Sequence, residues 1–410
     1  MTTSFLATLR RLRSKSLRAV DRIERKIPRR GFRSRPFGVT VVGPTQSHFS
    51  RAVMTRRYVH CLESAGIPFE VLDPASCVRP LRRWFRYPYR RPRGRYAFTL
   101  LLSHPLFFDH RALPGSLLNG RYVMAHWIWE QTSLPDRTLA QLELVDEVWI
   151  ASEFVRETYR NSTRTSTVLM PQVATRERRD GHDIWPHDGG PTARSRFGIP
   201  EDRFVFLTIA SALSSHVRKN PVGAMHAFRA AFPHGQREAV LVIKLLPTEG
   251  ELGDLGVFTE DPAFGPDVHL LVESLTDDEM TELLQTCACF VSLHRNEGFG
   301  LGAAEAMSLG RPAIITAWSG SVDYMTDTNC LAVPFTLRRI EDPGLPWYAP
   351  GLEWAEPDLE VAASYMRRVF DEPDLAERLG TQGRIDIWNA YSVEAVGRAI
   401  STHLESLYRR

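Results

Sequence analysis

The stretch from Cys289 to Thr316 constrains the fold of this chain more than any other part of the sequence. Its apolar residues predict a short buried strand from Cys289 to Leu293 and a second strand from Pro312 to Thr316. Between them, a glycine-containing turn that carries Glu297 is followed by a helix that carries Glu305. A strand, a loop, a helix and another strand in this order form the unit from which doubly wound parallel sheets are built.

Two glutamates lie on either side of the predicted helix start. Glu297 stands in the turn, and Glu305 follows about two turns into the helix. A helix N-terminus has free N–H groups and a partial positive charge, so it is a natural binding site for phosphate. Because carboxylates accept hydrogen bonds from hydroxyl groups, the pair suggests a ligand with a sugar and a ribose on either side of a diphosphate.

The residues around the two glutamates resemble a known enzyme family. The spacing of glutamate, seven residues and glutamate lies within Glu297-Gly-Phe-Gly-Leu301 and Ala304-Glu-Ala-Met307. This run is similar to the signature of family 4 (group 1) retaining glycosyltransferases, and the preceding Ser292-Leu-His-Arg295 is shared by one subset of those enzymes. The resemblance implies an α/β protein with the GT-B fold, in which two doubly wound Rossmann-like domains face a cleft.

The same resemblance implies roles for the residues of the signature. Glu297 would hold the hydroxyls of the donor sugar and position its ring, and Glu305 would accept hydrogen bonds from the ribose. The donor-binding segment continues with Gly298, Phe299, Gly300 and Leu301. The backbone amides of the first three would stabilise the charge that develops on the departing diphosphate.

A second group of candidates is the run Arg218-Lys-Asn-Pro221, which follows the predicted strand Phe204 to Ala210 and a polar loop. Adjacent arginine and lysine at a helix start can clamp a diphosphate, and the run resembles the diphosphate-binding arginine and lysine of the family. Most members carry that arginine earlier, where this chain has Ser211-Ala-Leu213, so Arg218, followed by Lys219, would have to take its place. The alternative is a pair of surface charges at a helix start.

Two further candidates lie at predicted carboxyl ends of strands, where doubly wound sheets bind their ligands. Lys244 ends the strand that begins at Ala239 and is either a ligand-side residue or an exposed strand-end lysine. His126 follows the strand Tyr122 to Ala125 and opens the run His126-Trp-Ile-Trp-Glu130, where the subset tends to carry another aromatic residue. Its role stays open between acceptor-side hydrogen bonding or proton transfer and a packed histidine.

The formal net charge of +3 conceals a basic N-terminal arm. Residues 1–36 contain twelve lysines and arginines against Asp21 and Glu24, a local charge of +10 that leaves −7 on the other 374 residues. Apolar residues at three- and four-residue steps predict a basic amphipathic helix, which lacks the cleavage site of a secretory signal. Three interpretations stay open: binding to an anionic membrane surface, a solvated or partly disordered tail, and nucleic-acid binding.

Residues 79–95 form a second basic segment, with eight arginines, four aromatic residues and no acid. Arginines interleaved with aromatic side chains can grip phosphates or stack on bases. Beside a basic arm and a sugar-transferase signature, this composition favours contact with anionic lipid headgroups or a charged acceptor over contact with nucleic acid. A solvated loop is the alternative.

Composition and periodicity divide the chain into a basic amphipathic arm (1–36), an N-terminal domain (37–173), a polar linker (174–200), a C-terminal domain (201–390) and a C-terminal helix (391–410). The resemblance implies that the N-terminal domain is Rossmann-like and faces the acceptor, that the C-terminal domain is Rossmann-like and binds the sugar nucleotide, and that the last helix packs back on the N-terminal domain. A helix is expected to open at Trp354. Five scattered cysteines without zinc spacing, and the lack of an apolar stretch that could span a membrane, predict a cytoplasmic protein. The basic segments would allow peripheral attachment to the inner face of the cell membrane.

The resemblance implies a retaining hexosyltransferase that moves a sugar from a nucleotide-sugar co-substrate to a glycan, lipid-linked or other hydroxyl acceptor, in cell-surface polysaccharide or glycolipid synthesis. No metal and no other cofactor is expected, because Arg218, Lys219 and the loop amides supply positive charge. Two other interpretations stay open: a non-catalytic GT-B scaffold that binds nucleic acid or membrane through its arm, and a phosphorylase or epimerase on the same fold. The donor base, the donor sugar and the acceptor do not follow from the sequence.

Overall fold

The computed structural model of the chain describes nine segments. They are residues 31–45, 50–73, 94–106, 109–175, 191–211, 215–236, 238–246, 255–341 and 348–409. The arm up to residue 30, the arginine-rich residues 79–93 and residues 176–190 of the expected linker lie outside these segments. The interpretations of those three regions therefore stay predictions.

Six strands of the N-terminal half build one parallel sheet: β1 (Val39–Val42), β2 (Phe69–Leu72), β3 (Phe98–Leu101), β4 (Tyr122–His126), β5 (Glu147–Ile150) and β6 (Ser166–Leu169). Their order in space is β2-β1-β3-β4-β5-β6, and each neighbouring pair is parallel. Along β1, Val39 and Val41 pack into one apolar core and Val42 into another. Both faces of the sheet are thus covered, as the unbroken apolar runs of these strands predict.

Six strands of the C-terminal half build a second parallel sheet: β7 (Phe204–Ser211), β8 (Ala239–Leu246), β9 (Val268–Val272), β10 (Cys289–Ser292), β11 (Ala313–Thr316) and β12 (Leu331–Val333). Their order is β12-β11-β10-β7-β8-β9. The chain changes its direction of travel across the sheet between the neighbours β7 and β10, so the loops that follow these two strands flank the point where open α/β sheets bind ligands. The two doubly wound sheets confirm the predicted α/β architecture.

A two-stranded antiparallel hairpin follows the second sheet: β13 (Phe335–Arg339) and β14 (Glu353–Pro357). The prediction of a helix that opens at Trp354 is wrong, because Trp354 lies in β14 and pairs with Arg338 of β13. The helix begins only at Leu359, where the side chain of Asp358 accepts hydrogen bonds from the amides of Glu360 and Val361. The acidic and proline residues that suggested the first helical turn therefore end a strand and cap the following helix.

The helices are α1 (Ser50–Ser64), α2 (Asp136–Leu139), α3 (Glu153–Ser162), α4 (Pro191–Arg196), α5 (His216–Lys219), α6 (Pro221–Ala231), α7 (Gly256–Thr259), α8 (Asp277–Thr286), α9 (Leu301–Ser308), α10 (Leu359–Asp371), α11 (Pro373–Tyr391) and α12 (Val393–Arg409). Several begin at residues that predict helix starts. Thr276 and Glu279 form a capping box at α8, and Asn220 caps α6 just before Pro221. An extended Ser392 separates α11 from α12.

Helix α12 lies against the N-terminal half of the chain. Its apolar residues Val396, Ile400 and Leu404 are buried in the same core as Val39 and Tyr58. Near the end of the helix, Nε2 of a histidine lies 2.6 Å from the carboxylate of a buried glutamate in β5; the two residues are His403 and Glu147. The last helix of the chain therefore completes the core of the first sheet. The boundaries of the five-part division stay predictions.

Substitution of Gly397 by alanine should destabilise the protein. An added Cβ would lie 2.8 Å from the carbonyl oxygen of Cys61 in α1, so α12 would have to move away from the helix that it packs against. Alanine favours an isolated helix by about 1 kcal/mol, whereas overpacking costs about 1–3 kcal/mol. We expect a net loss of roughly 1 kcal/mol in the free energy of urea-induced unfolding.

Gly256→Ala in α7 is the matched control, because its added Cβ would meet only the flexible side chain of Glu260, at 3.3 Å. We expect unchanged or slightly raised stability for this variant. Equal effects of the two substitutions would contradict the close contact between α12 and α1.

Candidate active site

The candidate site lies where the loops after β7 and β10 meet. The amide of Arg295, in the loop after β10, donates a hydrogen bond of 2.8 Å to the carbonyl of Arg218 in α5. The guanidinium of Arg295 donates to the Val217 carbonyl over 2.7 Å and to both carboxylate oxygens of Glu356 over 2.8 and 2.9 Å. These bonds hold the two loops and strand β14 as one unit.

The side chain of His294 supports the same loop. It is fully buried, and its two ring nitrogens lie 3.0 Å from the Ser292 hydroxyl and 3.1 Å from the Trp318 carbonyl. Burial lowers the pKa of His294 below its ordinary value. The histidine and arginine of the Ser292-Leu-His-Arg295 run therefore position the loop, and the following residues carry the candidate chemistry.

Glycines allow the loop to turn and allow the N-terminal half to approach it. Gly300 precedes α9 with a φ of 85°, in the left-handed region that favours glycine. A Cβ on Gly298 would collide with the side chain of Ile128 and would lie 3.1 Å from the Trp129 carbonyl oxygen. The hydroxyl of Ser152 donates to the Gly298 carbonyl over 2.7 Å. The glycine loop thus contacts the N-terminal half directly.

Phe299 and Leu301 pack their side chains into the core of the C-terminal half. Phe299 is 2% exposed and packs against the rings of Tyr324 and Tyr391, and Leu301 packs against the same core. Within the predicted segment Gly298 to Leu301, it is therefore the backbone that remains to contact a ligand at the start of α9.

Glu297 is the acidic centre of the site. Its side chain is 8% exposed, forms an ion pair with Lys219, and lies 3.4 Å from Nη1 of Arg218. Its amide donates to the Ser319 hydroxyl over 2.8 Å. Burial alone would raise the pKa of Glu297, but Lys219 and Arg218 together lower it to about 2. The carboxylate is therefore ionised at neutral pH and accepts hydrogen bonds.

Arg218 is almost completely buried, at 2% exposure. Its Nη1 also donates to the Asn296 carbonyl, and its Nη2 lies 3.8 Å from a carboxylate oxygen of Glu130, which comes from the N-terminal half. Burial would lower the pKa of Arg218, but Tyr348, Glu297 and Glu130 outweigh this effect and raise it. The alternative of a surface charge at a helix start is wrong for Arg218, whereas Lys219 remains partly exposed.

Glu305 lies on α9 and faces a different cation. It is 5% exposed and forms an ion pair with Arg57 of α1, whose Nη1 also donates to the Val173 carbonyl over 2.7 Å. Both glutamates of the signature are thus buried. Glu297 is paired with Lys219 and Arg218, and Glu305 is paired with Arg57. One of these basic groups belongs to the N-terminal half of the chain.

Lys244 is buried at the end of β8, with 1% exposure, and its ammonium donates to the Glu273 carbonyl over 2.8 Å. Burial lowers its pKa to about 8. The alternative of an exposed lysine is wrong, since the side chain links β8 to the loop after β9. Its contact with a donor stays a prediction.

His126 lies apart from this cluster, at the end of β4. It is 4% exposed, its ring centroid is 5.1 Å from that of Tyr58, and its Nε2 has no hydrogen-bond partner in the structure. Burial lowers its pKa to about 4, so the ring is neutral at pH 7. This geometry favours the packed histidine over proton transfer.

Four residues of the site were not among the sequence-based candidates: Arg57, Glu130, Asn296 and Tyr348. Glu130 was visible in the Trp-Glu run, but the sequence gives no indication that it lies near Arg218, 88 positions later. Arg57 is one of many arginines in the N-terminal half, and nothing in its local pattern distinguishes it. The hydroxyl of Tyr348 donates to Glu130 over 3.0 Å, a contact that depends on the fold of the hairpin.

Within the described segments, no group of three or more histidine, cysteine, aspartate or glutamate side chains could hold a metal ion. No helix in the same part of the chain is both long and apolar enough to cross a bilayer.

Residues 263–342 match the sequence model of the family described as glycosyl transferases group 1. This segment contains β10, α9 and both glutamates of the signature. Comparison with the curated proteins finds no match.

Solved structures with the same fold cover almost the whole chain. HepE from Anabaena, in complex with UDP and glucose, has 12% sequence identity over 90% of this chain and 100% of its own, with a TM-score of 0.58. Sucrose-phosphate synthase from Thermosynechococcus elongatus has 14% identity over 91% of this chain and 100% of its own, with a TM-score of 0.60. A glycosyltransferase from Rickettsia africae has 11% identity over 90% and 98%, with a TM-score of 0.59.

At these identities the structural similarity shows the fold alone, and that fold is GT-B, as the sequence predicts. The class of the protein is therefore a two-domain GT-B protein. Residues 263–342 are, in addition, similar to the glycosyl transferases of group 1.

Replacement of His126 by phenylalanine tests its role. Below pH 6.5 the unfolded chain binds a proton on this histidine, whereas the folded chain does not until the pH falls to about 4. The wild-type protein therefore loses stability as the pH falls through this window, and His126→Phe should lose about 2 kcal/mol less between pH 7 and pH 5. Urea unfolding of both proteins at the two pH values measures the difference.

His110, which is also buried with a pKa lowered to about 4, is present in both proteins and serves as the internal reference. The sugar-transfer activity that is proposed in the next section should stay within about fivefold of wild type. A loss of about 100-fold or more would support proton transfer by His126 instead.

Proposed function

We propose that this protein is a retaining glycosyltransferase that transfers a sugar from a nucleotide-sugar donor to a hydroxyl acceptor. The observation that carries the proposal is the buried cluster of Glu297, Arg218 and Lys219 beside the start of α9, with Glu305 on the same helix. The cluster lies at the carboxyl ends of β7 and β10, and its two glutamates fall in the segment that matches the group 1 glycosyltransferases.

The electrostatics of the cluster fit the departure of a nucleoside diphosphate. Arg218 and Lys219 supply two positive charges, and the start of α9 supplies free N–H groups and a partial positive charge. They would stabilise the negative charge that develops on the diphosphate as the sugar leaves. The proposal needs no metal ion for this step, because the side chains and the helix provide the compensation.

Glu297 suits a positioning role and not that of a proton donor. With a pKa of about 2, it carries no proton at neutral pH and can only accept hydrogen bonds from sugar hydroxyls. The acceptor hydroxyl would attack from the face on which the diphosphate departs, and its proton would pass to the departing phosphate oxygen. The family resemblance of the signature supports this retaining course.

UDP-sugars are the first donors to test. HepE was solved in complex with UDP-glucose, and a complex of TarM from S. aureus contains UDP and α-GlcNAc-glycerol. The acceptor is proposed to be a glycan or a lipid-linked hydroxyl compound of cell-surface polysaccharide or glycolipid synthesis, on the inner face of the membrane. The family resemblance and the basic composition of residues 1–36 and 79–95 support that part of the proposal.

A thermal-shift screen with UDP-, GDP-, ADP- and dTDP-sugars should identify the donor, and transfer assays with glutamate variants should then test the site. Glu305→Gln removes a charged acceptor of ribose hydrogen bonds, which contributes about 1.5–3 kcal/mol, so the donor KM should rise roughly 10- to 150-fold. Glu297→Gln should lower kcat by roughly 100-fold or more, because the sugar is no longer held in position.

Glu282→Gln is the matched control, since Glu282 lies on α8 of the same half, is 42% exposed and forms an ion pair with Arg196 at the surface. It should leave both constants unchanged. The proposal fails if no nucleotide sugar binds, or if both signature variants behave like this control. Phosphate-dependent cleavage of a glycan would indicate a phosphorylase, and interconversion of the nucleotide sugar without an acceptor would indicate an epimerase.

The proposed membrane contact predicts that the intact protein sediments with anionic vesicles of phosphatidylglycerol and that deletion of residues 1–36 reduces this fraction severalfold. The fraction of the intact protein that sediments should fall as the ionic strength rises, because screening weakens the attraction between basic side chains and headgroups. Equal sedimentation of both forms would exclude the arm as the membrane-binding segment. Tight, salt-sensitive binding of nucleic acid without any affinity for sugar nucleotides would favour the scaffold alternative.

A further inference from the structure

Two polar groups of the proposed donor site are occupied by side chains from the other half of the chain. Arg57 of α1 is paired with Glu305, and Glu130, four residues after β4, lies beside Arg218. Glu305 and Arg218 are the groups that the proposed function assigns to the ribose and to the diphosphate. The inference below rests on that function.

The pair of Arg57 and Glu305 is buried and well fixed. The two side chains are 10% and 7% exposed, and the second guanidinium nitrogen of Arg57 is held by the Val173 carbonyl at 2.7 Å. Arg57 therefore presents N–H donors to Glu305 from a fixed position. A ribose would present O–H donors to the same carboxylate, so the two cannot occupy it fully at the same time.

Glu130 is held in place by a different contact. One of its carboxylate oxygens accepts the hydrogen bond of the Tyr348 hydroxyl over 3.0 Å, and the other lies 3.8 Å from Nη2 of Arg218. The ring of Tyr348 packs edge-on against Trp129, with centroids 5.2 Å apart. Glu130 thus places an anionic oxygen beside Arg218, where the proposed function places a phosphate oxygen.

Arg57 presents hydrogen-bond donors to Glu305, as ribose hydroxyls would, and Glu130 presents an anionic oxygen to Arg218, as a phosphate would. We propose that Arg57 and Glu130 compete with a nucleoside diphosphate sugar for Glu305 and Arg218, and that the donor must displace them to bind. The two residues then set the affinity for the donor from the acceptor-side half of the chain.

The physical reason is the cost of buried charge. Glu305 and Arg218 are 5% and 2% exposed, and a buried charge without a partner is strongly unfavourable. In the contact between the two halves, Arg57 and Glu130 provide the counter-charges that these groups require. Because the two contacts compete with the nucleotide, the apparent dissociation constant exceeds the intrinsic one by the reciprocal of the fraction of molecules in which the contacts are broken.

Calorimetric titration of the full chain with UDP, GDP, ADP and dTDP tests the proposal. For the nucleotide that binds, Arg57→Gln should lower the dissociation constant by about threefold or more, because glutamine no longer forms the ion pair that competes for Glu305. Arg57→Lys, which keeps the charge, should remain closer to wild type. Glu130→Gln should shift the constant in the same direction, by a smaller factor, since its ion pair is longer.

The matched control is Arg160→Gln. Arg160 lies on α3 of the same half as Arg57, its side chain is 56% exposed, and its ion pair with Glu153 stays within that helix. It should leave the dissociation constant unchanged. If Glu130→Gln does not fold, Tyr348→Phe removes the hydroxyl that orients Glu130, and this variant should likewise tighten binding.

Weaker binding by Arg57→Gln would overturn the proposal, because it would mean that Arg57 contacts the nucleotide. Unchanged binding, or equal tightening by Arg160→Gln, would also overturn it. Different results would refute the proposed function: either wild type binds none of the four nucleotides, or Glu305→Gln binds them as tightly as wild type does. Loss of binding in Glu305→Gln together with unchanged binding in Arg57→Gln leaves the function standing and refutes only the inference.

Discussion

The burial of Arg218 is the constraint on which the arrangement of the site depends. A guanidinium at 2% exposure must be compensated by nearby acceptors, and these come from both halves of the chain: Glu297 and the Asn296 carbonyl on one side and Glu130 on the other. The charge of Lys219 then balances the second carboxylate. The two basic and two acidic side chains sum to zero charge, so the two halves meet here without an uncompensated charge.

The glycines of this loop allow the backbone segments around the site to approach each other closely. Gly298 lies so close to Ile128 that any larger residue would separate the two halves, and a Cβ on Gly320 would collide with the carbonyl of Gly298 from the opposite side. His294 and Arg295 hold the loop from within the C-terminal half. Contacts with both halves thus hold the loop, and the fold itself sets the position of Glu297.

The sequence predicts the fold well, because buried parallel strands are unbroken apolar runs and the turns between them carry recognisable glycines and caps. It also predicts that Glu297, Arg218 and Lys219 are neighbours, since the loops after β7 and β10 end on the same edge of one sheet. It could not predict Arg57, Glu130 or Tyr348 as partners. Their contacts depend on how two separately folded sheets meet, which no local periodicity encodes. Trp354 was misassigned for a related reason, because an acidic segment with a proline suits a strand end as well as a helix start.

The return of α12 to the first sheet has a consequence for biosynthesis. The core around Val39 and Tyr58 includes Val396, Ile400 and Leu404, so it is not complete until residues 393–409 have been translated. During synthesis, domains generally fold as units from the N-terminal end, but here the first sheet must wait, with part of its apolar surface uncovered, while the second sheet is made. During this interval the nascent chain exposes an apolar surface to which a chaperone can bind. A stop codon anywhere before residue 393 would leave the core of the N-terminal half incomplete.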